Sequence, residues 1–166
     1  IYRDGTIGGA KKHLEKTARE LDAQLKADLK GSAYVSENKG LVTRSSAVIP
    51  VISFYLAVLF KVMKSMNIHE GCIEQMERLF AERLYCGSNS EMTTVPVDSE
   101  NRIRMDDWEL RDDVQAKVVE NMNKTTDDNL AEYCDLAGYK HDFLSANGFD
   151  VAGVDYSKDV ERFDII

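Results

Sequence analysis

Apolar positions recur at three- and four-residue steps from Ala10 to Leu29, where Leu14, Ala18, Leu21, Leu25 and Leu29 alternate with charges. That period predicts an amphipathic helix, and Gly31 stands where a helix C-terminal glycine is expected. Ala33-Tyr34-Val35-Ser36 is a short strand candidate, after which Lys39 to Thr43 runs through a turn. Ser45-Ser46 is placed to N-cap an apolar helix starting near Ala47. Pro50 falls in or near its first turn, where a missing N–H costs least. His69 to Leu84 reads as a further helix with Ile73, Met76, Leu79 and Phe80 on one side, followed by a polar loop from Cys86 to Thr94. Val95–Asp98 and Ile103–Met105 predict a small hairpin around Ser99-Glu100-Asn101. Asp106, with Glu109 three residues on, has the form of a capping box opening a helix to about Met122. Thr126–Leu136 and Tyr139–Ala146 are shorter helices, ended near Gly138 and by Asn147-Gly148, and the tail from Val154 is peripheral.

Composition narrows the class. At 43% hydrophobic and 30% charged over 166 residues, the chain is globular and long enough for a sizeable core. Its most apolar run, Ala47 to Phe60, contains Pro50 and Ser53 and meets Lys61 and Lys64. It falls short of the about 20 apolar residues that span a bilayer, so it predicts a buried helix and no membrane partner. Cys72, Cys86 and Cys134 are odd in number and lack Cys-x-x-Cys spacing, which argues against a disulfide framework or zinc site and for a reducing cytoplasm. Because the chain opens on Ile1 and its first motif starts at residue 2, a piece of a longer protein is expected.

The net charge of −8 is uneven. Residues 1–64 carry eleven Lys or Arg against six Asp or Glu, and the remainder carries ten against twenty-three. A basic N-terminal part suits an anionic ligand such as a nucleotide cofactor or coenzyme A. The acidic remainder argues against nucleic acid as a partner.

The chemistry starts with Tyr2 and Lys11 in the glycine-rich opening. A phenol beside an ammonium can stabilise an oxyanion that forms when hydride reaches a substrate, and the ammonium favours the phenolate. Spacing alone does not establish that role. The turn Lys39 to Thr43 places Leu41, Val42 and Thr43 to line a cofactor by their backbone, since Gly40 allows close approach; a plain loop fits the same pattern. Other signals fail. The spacing of Gly5, Gly8 and Gly9 before Lys11 is not that of a phosphate loop, and His69-Glu70 is followed by Ile73 where a zinc protease has its second His. His13 and His141 have no companions at metal spacing, so no metal is expected.

Taken together, Tyr2-x8-Lys11, Leu41-Val42-Thr43, Ser46 to Val51, His69 to Gln75, Asp106 to Leu110 and Gly138-Tyr139-Lys140-His141 resemble trans-2-enoyl-CoA reductase. That family also contains the V-type enoyl-acyl-carrier-protein reductases of bacterial fatty-acid synthesis. The resemblance runs from residue 1 to the C-terminus and covers roughly the C-terminal two-fifths of such an enzyme, without its N-terminal NADH-binding segment. It implies an α/β fold, here the C-terminal part of a Rossmann-like, short-chain-reductase-like fold that is predominantly helical with a few short strands. Residues 1–100 would be the catalytic and substrate-binding part, and residues 101–166 a helical segment packed on it.

The activity implied is NADH-dependent reduction of the C2=C3 double bond of an enoyl-CoA or enoyl-acyl-carrier-protein, by a monomer. Tyr2 would donate to the enolate oxygen, while Lys11 would hold the cofactor and tune Tyr2. Leu41, Val42 and Thr43 would contact the cofactor, and Ile52, Leu56, Phe60 and Tyr139 the acyl chain. Ile52, Leu56 and Phe60 are four apart, so one helical face carries all three, as an acyl wall or as ordinary core. The family's C-terminal segment carries a flavin label, but no dinucleotide turn or other FAD signature is present here. Two alternatives stay open: a carbonyl reductase of the broader short-chain class, and a non-catalytic acidic helical interaction module.

Overall fold

A computed structural model describes residues 5–49, 51–85 and 94–159. Among these, the chain is mostly helical, with two short strands. The order is α1 (Thr6–Asp28), β1 (Val35–Glu37), α2 (Arg44–Val48), α3 (Ile52–Ser65), α4 (Cys72–Arg78) continued by a π-helical segment (Leu79–Leu84), β2 (Arg102–Arg104), α5 (Asp112–Lys124), α6 (Leu130–Tyr133) and α7 (Leu136–Ser145). Packing divides the chain into two units, one formed by Ile1–Lys39 with Cys72–Asp107, the other by Gly40–Gly71 with Trp108–Ile166.

In the first unit, β1 pairs in parallel with β2, Ser36 opposite Ile103. The predicted hairpin is therefore half right. Its turn exists, closed by the N–H of Asn101 on the Asp98 carbonyl and the N–H of Asp98 on the Arg102 carbonyl. Residues 95–98 form no strand, and the ladder partner of β2 is β1, since a tight turn joins only antiparallel neighbours. Helix α1 forms over the predicted span, but the left-handed residue at its end is Lys30 (φ 52°), not Gly31. Its apolar stripe stays open: Leu14, Leu21 and Leu29 are 56%, 47% and 74% exposed. Leu14 and Leu21 border a groove of about 680 Å³ that Tyr34 and Val35 also line.

The helix predicted from His69 starts only at Cys72, and its buried face is only half the expected one, with Met76 and Leu79 on the core as predicted. Ile73 and Phe80 are exposed, whereas Gln75, Arg78 and Leu79 are buried. Polar partners explain the rotation. The Gln75 Oε1 accepts from the Lys39 amide, and Arg78 donates to the Met105 carbonyl and to Asp107. The apolar core beside them is small, built on Leu79, Ile103 and Met105.

In the second unit a large apolar cluster surrounds α3, with Leu56 to Phe60, Val62 and Met63 buried against Val114 and Val118 of α5. The predicted single helix from Ala47 is two. The N-cap is Thr43 instead of Ser45-Ser46, because Thr43 and Ser46 form a reciprocal capping box for the short α2. Helix α3 restarts after Val51, whose φ of 71° is an uncommon backbone setting for a β-branched residue. Pro50 lies outside the described residues, as does most of the predicted 86–94 loop.

Asp106 and Glu109 do not cap a helix. Helix α5 begins at Asp112, and Asp106 pairs instead with the Arg104 guanidinium, a stronger partner than backbone N–H. The predicted helix 126–136 shrinks to α6, and Gly138, expected at its end, lies inside the first turn of α7. Asp135 caps α7 through the Gly138 N–H and pairs with Lys64 at 2.5 Å. A Cβ at Gly138 would run into both groups, so the glycine is there for close approach, not for chain reversal. Helix α7 does end near Asn147-Gly148, with φ 80° at Gly148.

Candidate active site

The site is built on the loop that leads into α2. The Val42 side chain is 7% exposed and anchors the loop in the apolar cluster. The Thr43 hydroxyl accepts from the Ser46 N–H at 3.1 Å, the Ser46 hydroxyl accepts from the Thr43 N–H at 2.7 Å, and the same Ser46 hydroxyl donates to the Leu41 carbonyl at 3.1 Å. The far end is held by Glu109. Its Oε2 accepts from the Gly40 N–H at 2.7 Å and its Oε1 from the Tyr55 hydroxyl at 2.5 Å. Gln115 completes the set, donating from Nε2 to the Tyr55 oxygen and to the Glu109 carbonyl. Burial, and then the Glu109 carboxylate beside it, push the Tyr55 phenol well above its ordinary value, with Gln115 pulling the other way. Between these anchors the amides of Leu41 and Val42 donate to no group among the described residues.

Helix α3 supplies the neighbouring wall. Ile52 is half-buried, while Leu56 and Phe60 are 2% and 0% exposed. Phe60 meets the His69 ring edge-on at 4.6 Å between centroids. Leu56 also reaches the loop, since a Cβ placed on Gly40 would lie 2.8 Å from its Cδ2. Tyr139 of α7 packs half-buried against the same cluster, and its hydroxyl oxygen is buried without a partner among the described residues.

Of the residues picked out from the sequence, the second unit thus brings together Val42, Ile52, Leu56, Phe60 and Tyr139 around one apolar cluster, with Leu41 and Thr43 flanking Val42. Lys11 lies on α1 of the first unit and is exposed. Tyr2 lies outside the described residues. Tyr55 and Gln115 are marked by no pattern in the sequence. Glu109 even carries a misleading one, since its spacing from Asp106 reads as a cap.

Residues 1–85 match the family model described as the trans-2-enoyl-CoA reductase catalytic region, and residues 97–160 match the enoyl reductase FAD binding domain. The chain belongs to the trans-2-enoyl-CoA reductase family. It is 60% identical over its whole length to a trans-2-enoyl-CoA reductase [NADH] of Treponema denticola, and 54% identical over 97% of its length to an enoyl-[acyl-carrier-protein] reductase [NADH] of Coxiella burnetii. It spans 40% and 38% of those relatives, respectively. Among solved structures, it superimposes on a Clostridium acetobutulicum trans-2-enoyl-CoA reductase in complex with NAD with a TM-score of 0.88 at 49% identity, covering 97% of this chain and 40% of that one. The Treponema denticola enzyme in complex with NAD gives 0.84 at 59% identity, covering 100% of this chain and 40% of that one.

Two cofactors are named in these comparisons, and the residues of this chain fit them differently. Consecutive backbone amides at Leu41 and Val42, held open between two anchors, suit the oxygens or carboxamide of a nicotinamide dinucleotide. Among the described residues of 97–159, the N-termini of α5 and α7 offer a flavin dinucleotide no such place. Helix α5 opens with Asp112 and Asp113, which oppose a pyrophosphate at its N-terminus, and α7 opens on Asp135, already committed to Lys64.

Proposed function

We propose that this chain carries the catalytic and substrate-binding residues of an NADH-dependent reductase acting on trans-2-enoyl thioesters. The observation that carries the reading is the match of the whole chain, at 60% identity, to a relative named as an NADH-dependent trans-2-enoyl-CoA reductase. When bound, NADH supplies the hydride, which goes to C3 of the enoyl thioester and moves negative charge to the thioester oxygen. Tyr2 donates a hydrogen bond or proton to that oxygen, an electrostatic contribution of the kind that dominates many enzyme mechanisms. The Lys11 ammonium eases loss of the Tyr2 proton, which makes the phenol a better donor to that oxygen, and takes a cofactor oxygen.

The amides of Leu41 and Val42 hold the cofactor, with the Thr43 cap fixing where the loop ends. Of Ile52, Leu56 and Phe60, Ile52 is the least buried and meets the acyl chain, and Leu56 and Phe60 pack behind it to keep water from the reacting carbons. The Tyr139 hydroxyl, which has no partner among the described residues, supplies a donor beside that chain. The parallel β1–β2 pair reads as part of a Rossmann-like sheet, because an isolated two-stranded sheet is marginal and parallel sheets are covered on both faces. Residues 1–100 then carry the catalysis and residues 101–166 the helical segment, in a protein that works as a monomer.

The test is NADH oxidation by the full-length protein, measured with crotonyl-CoA and with crotonyl-acyl-carrier-protein. Tyr2→Phe is expected to lower kcat at least about a hundredfold. Equal rates for the two proteins remove Tyr2 from the mechanism. An absence of NADH oxidation with either thioester overturns the reductase reading as a whole.

A further inference from the structure

Glu109 is 8% exposed, and among the described residues no Lys or Arg stands beside its carboxylate. Its two oxygens are taken by the Gly40 N–H and the Tyr55 hydroxyl. A carboxylate buried without a cation is a costly way to gain stability, because the desolvation it suffers is only partly returned by neutral donors. What it gains is direction. The Gly40 N–H can point only at Oε2, which fixes the peptide plane that feeds Leu41 and Val42. On the other side, Leu56 presses against Gly40 where any side chain would collide. Tyr55 stands one residue before Leu56 on α3, so the same helix turn that presses the loop also orients the carboxylate holding it.

We propose that Glu109 and Tyr55 are positioning residues for the reductase, holding the Gly40–Thr43 loop so that the Leu41 and Val42 amides face the cofactor. The proposal rests on the reading of Leu41–Thr43 as a cofactor loop. It goes further by assigning the geometry of that loop to two side chains far away in sequence. Tyr55 remains a phenol throughout the working pH range, because its ionisation is pushed upward by burial and by Glu109. Its donation to Glu109 is therefore constant, and Gln115 holds Tyr55 from behind. In Glu109→Gln the Gly40 N–H keeps an acceptor only if the new NH2 turns to the Tyr55 oxygen, which already accepts from Gln115. The Tyr55 hydroxyl then loses its acceptor, and the charge-assisted bond to Gly40 is gone. The loop then loses its fixed plane while the apolar cluster stays intact.

The experiment uses the full-length protein and compares wild type, Glu109→Gln and Tyr55→Phe. Steady-state kinetics with NADH and crotonyl-CoA are combined with amide hydrogen exchange of residues 40–46, with and without NADH. Glu109→Gln is expected to raise KM for NADH about tenfold, with KM for crotonyl-CoA unchanged. It should also speed exchange in residues 40–46 while α3 and α5 keep their protection. Tyr55→Phe, which leaves the Gly40 bond in place, is expected to raise KM for NADH about threefold and carries the test if Glu109→Gln does not fold. A uniform loss of protection across α3 and α5 in both variants would mark a merely structural role and overturn the proposal. So would wild-type exchange and KM in both. If NADH fails to protect residues 40–46 in the wild type, the cofactor reading itself falls and takes the proposal with it, a result the variants cannot mimic.

Discussion

The unit built on α3 and the unit built on α1 are made from the same chain by opposite means. In α3, seven consecutive or near-consecutive apolar residues are buried, and α5 covers them with Val114 and Val118. In α1, only Gly8 and Asp22 are buried, and the leucine stripe faces outward. The first unit instead buries Gln75, Arg78, Lys39 and Asp22, and Asp22 binds both Lys26 and the Ala33 amide. Hydrophobic burial is non-directional and supplies most net stability, whereas buried polar bonds add little net free energy but fix geometry. The α3 unit therefore closes its own core, and the α1 unit holds a shape around a face it leaves open.

The largest test of that contrast is Phe60→Ala. Phe60 is fully buried, so its truncation is expected to cost about 4 kcal/mol in urea denaturation. Arg78→Met comes next, at about 2 kcal/mol, because it removes the bonds to the Met105 carbonyl and Asp107 but leaves Arg83 to satisfy Asp107. If Arg78→Met proves more costly than Phe60→Ala, the chain is held by its polar unit and the contrast is reversed. Gly40→Ala lies in the same range as Arg78→Met or below it. The new Cβ would meet Leu56, and overpacking of this kind costs about 1–2 kcal/mol. In addition, it should displace the loop and raise KM for NADH in the full-length protein.

What was legible in the sequence follows the same division. The apolar period of α3 announced a buried helix, and the i, i+4 spacing of Ile52, Leu56 and Phe60 placed three residues on one face that the cluster does hold together. Hydrophobic pattern is local, and a local signal survives in a list of residues. Met76 and Leu79 were placed on the core correctly, but the rest of that helical face was misjudged for the converse reason. Gln75 and Arg78 are buried only because the Lys39 amide and the Met105 carbonyl await them, and no local period records a partner so far along the chain. Glu109 shows the limit most clearly. Its spacing from Asp106 fits a capping box, yet the loop at Gly40 and the phenol of Tyr55 are better partners. The Leu41–Thr43 turn was readable as a candidate cofactor segment, but not the side chains that hold it.

A smaller test addresses the Lys64–Asp135 ion pair of the apolar unit. Burial alone would raise the Asp135 carboxyl, but the Lys64 ammonium and the Gly138 N–H together hold it below its ordinary value. A carboxylate depressed in the folded state contributes stability above its unfolded value of about 3.9, and that contribution is lost as pH falls through the lower folded value. Asp135→Asn keeps an acceptor for the Gly138 N–H and removes only the charge. The wild type is thus expected to exceed it by about 0.5–1 kcal/mol near pH 7, with the difference closing below about pH 4. A gap that persists at pH 2 would show that the cap, not the charge, is what matters.

The smallest effect is the sharpest probe of the open face. Leu21 is 47% exposed on α1, in the groove that Tyr34 and Val35 border. In the 166-residue chain, Leu21→Ala is expected to change stability by less than about 0.5 kcal/mol, as for most exposed positions. Alanine is also the better helix former, which offsets part of the lost contact. The corresponding change at Leu59, fully buried in α3, should cost about 3 kcal/mol under the same conditions. Two leucines on two helices then differ only in whether a partner surface covers them. If Leu21→Ala costs as much as Leu59→Ala and the cost grows with protein concentration, a second copy of the chain covers α1, because only a concentration-dependent partner makes stability depend on protein concentration. A cost below about 0.5 kcal/mol at every concentration leaves the leucine stripe of α1 open in this chain, and leaves polar bonds as what gives its unit a shape.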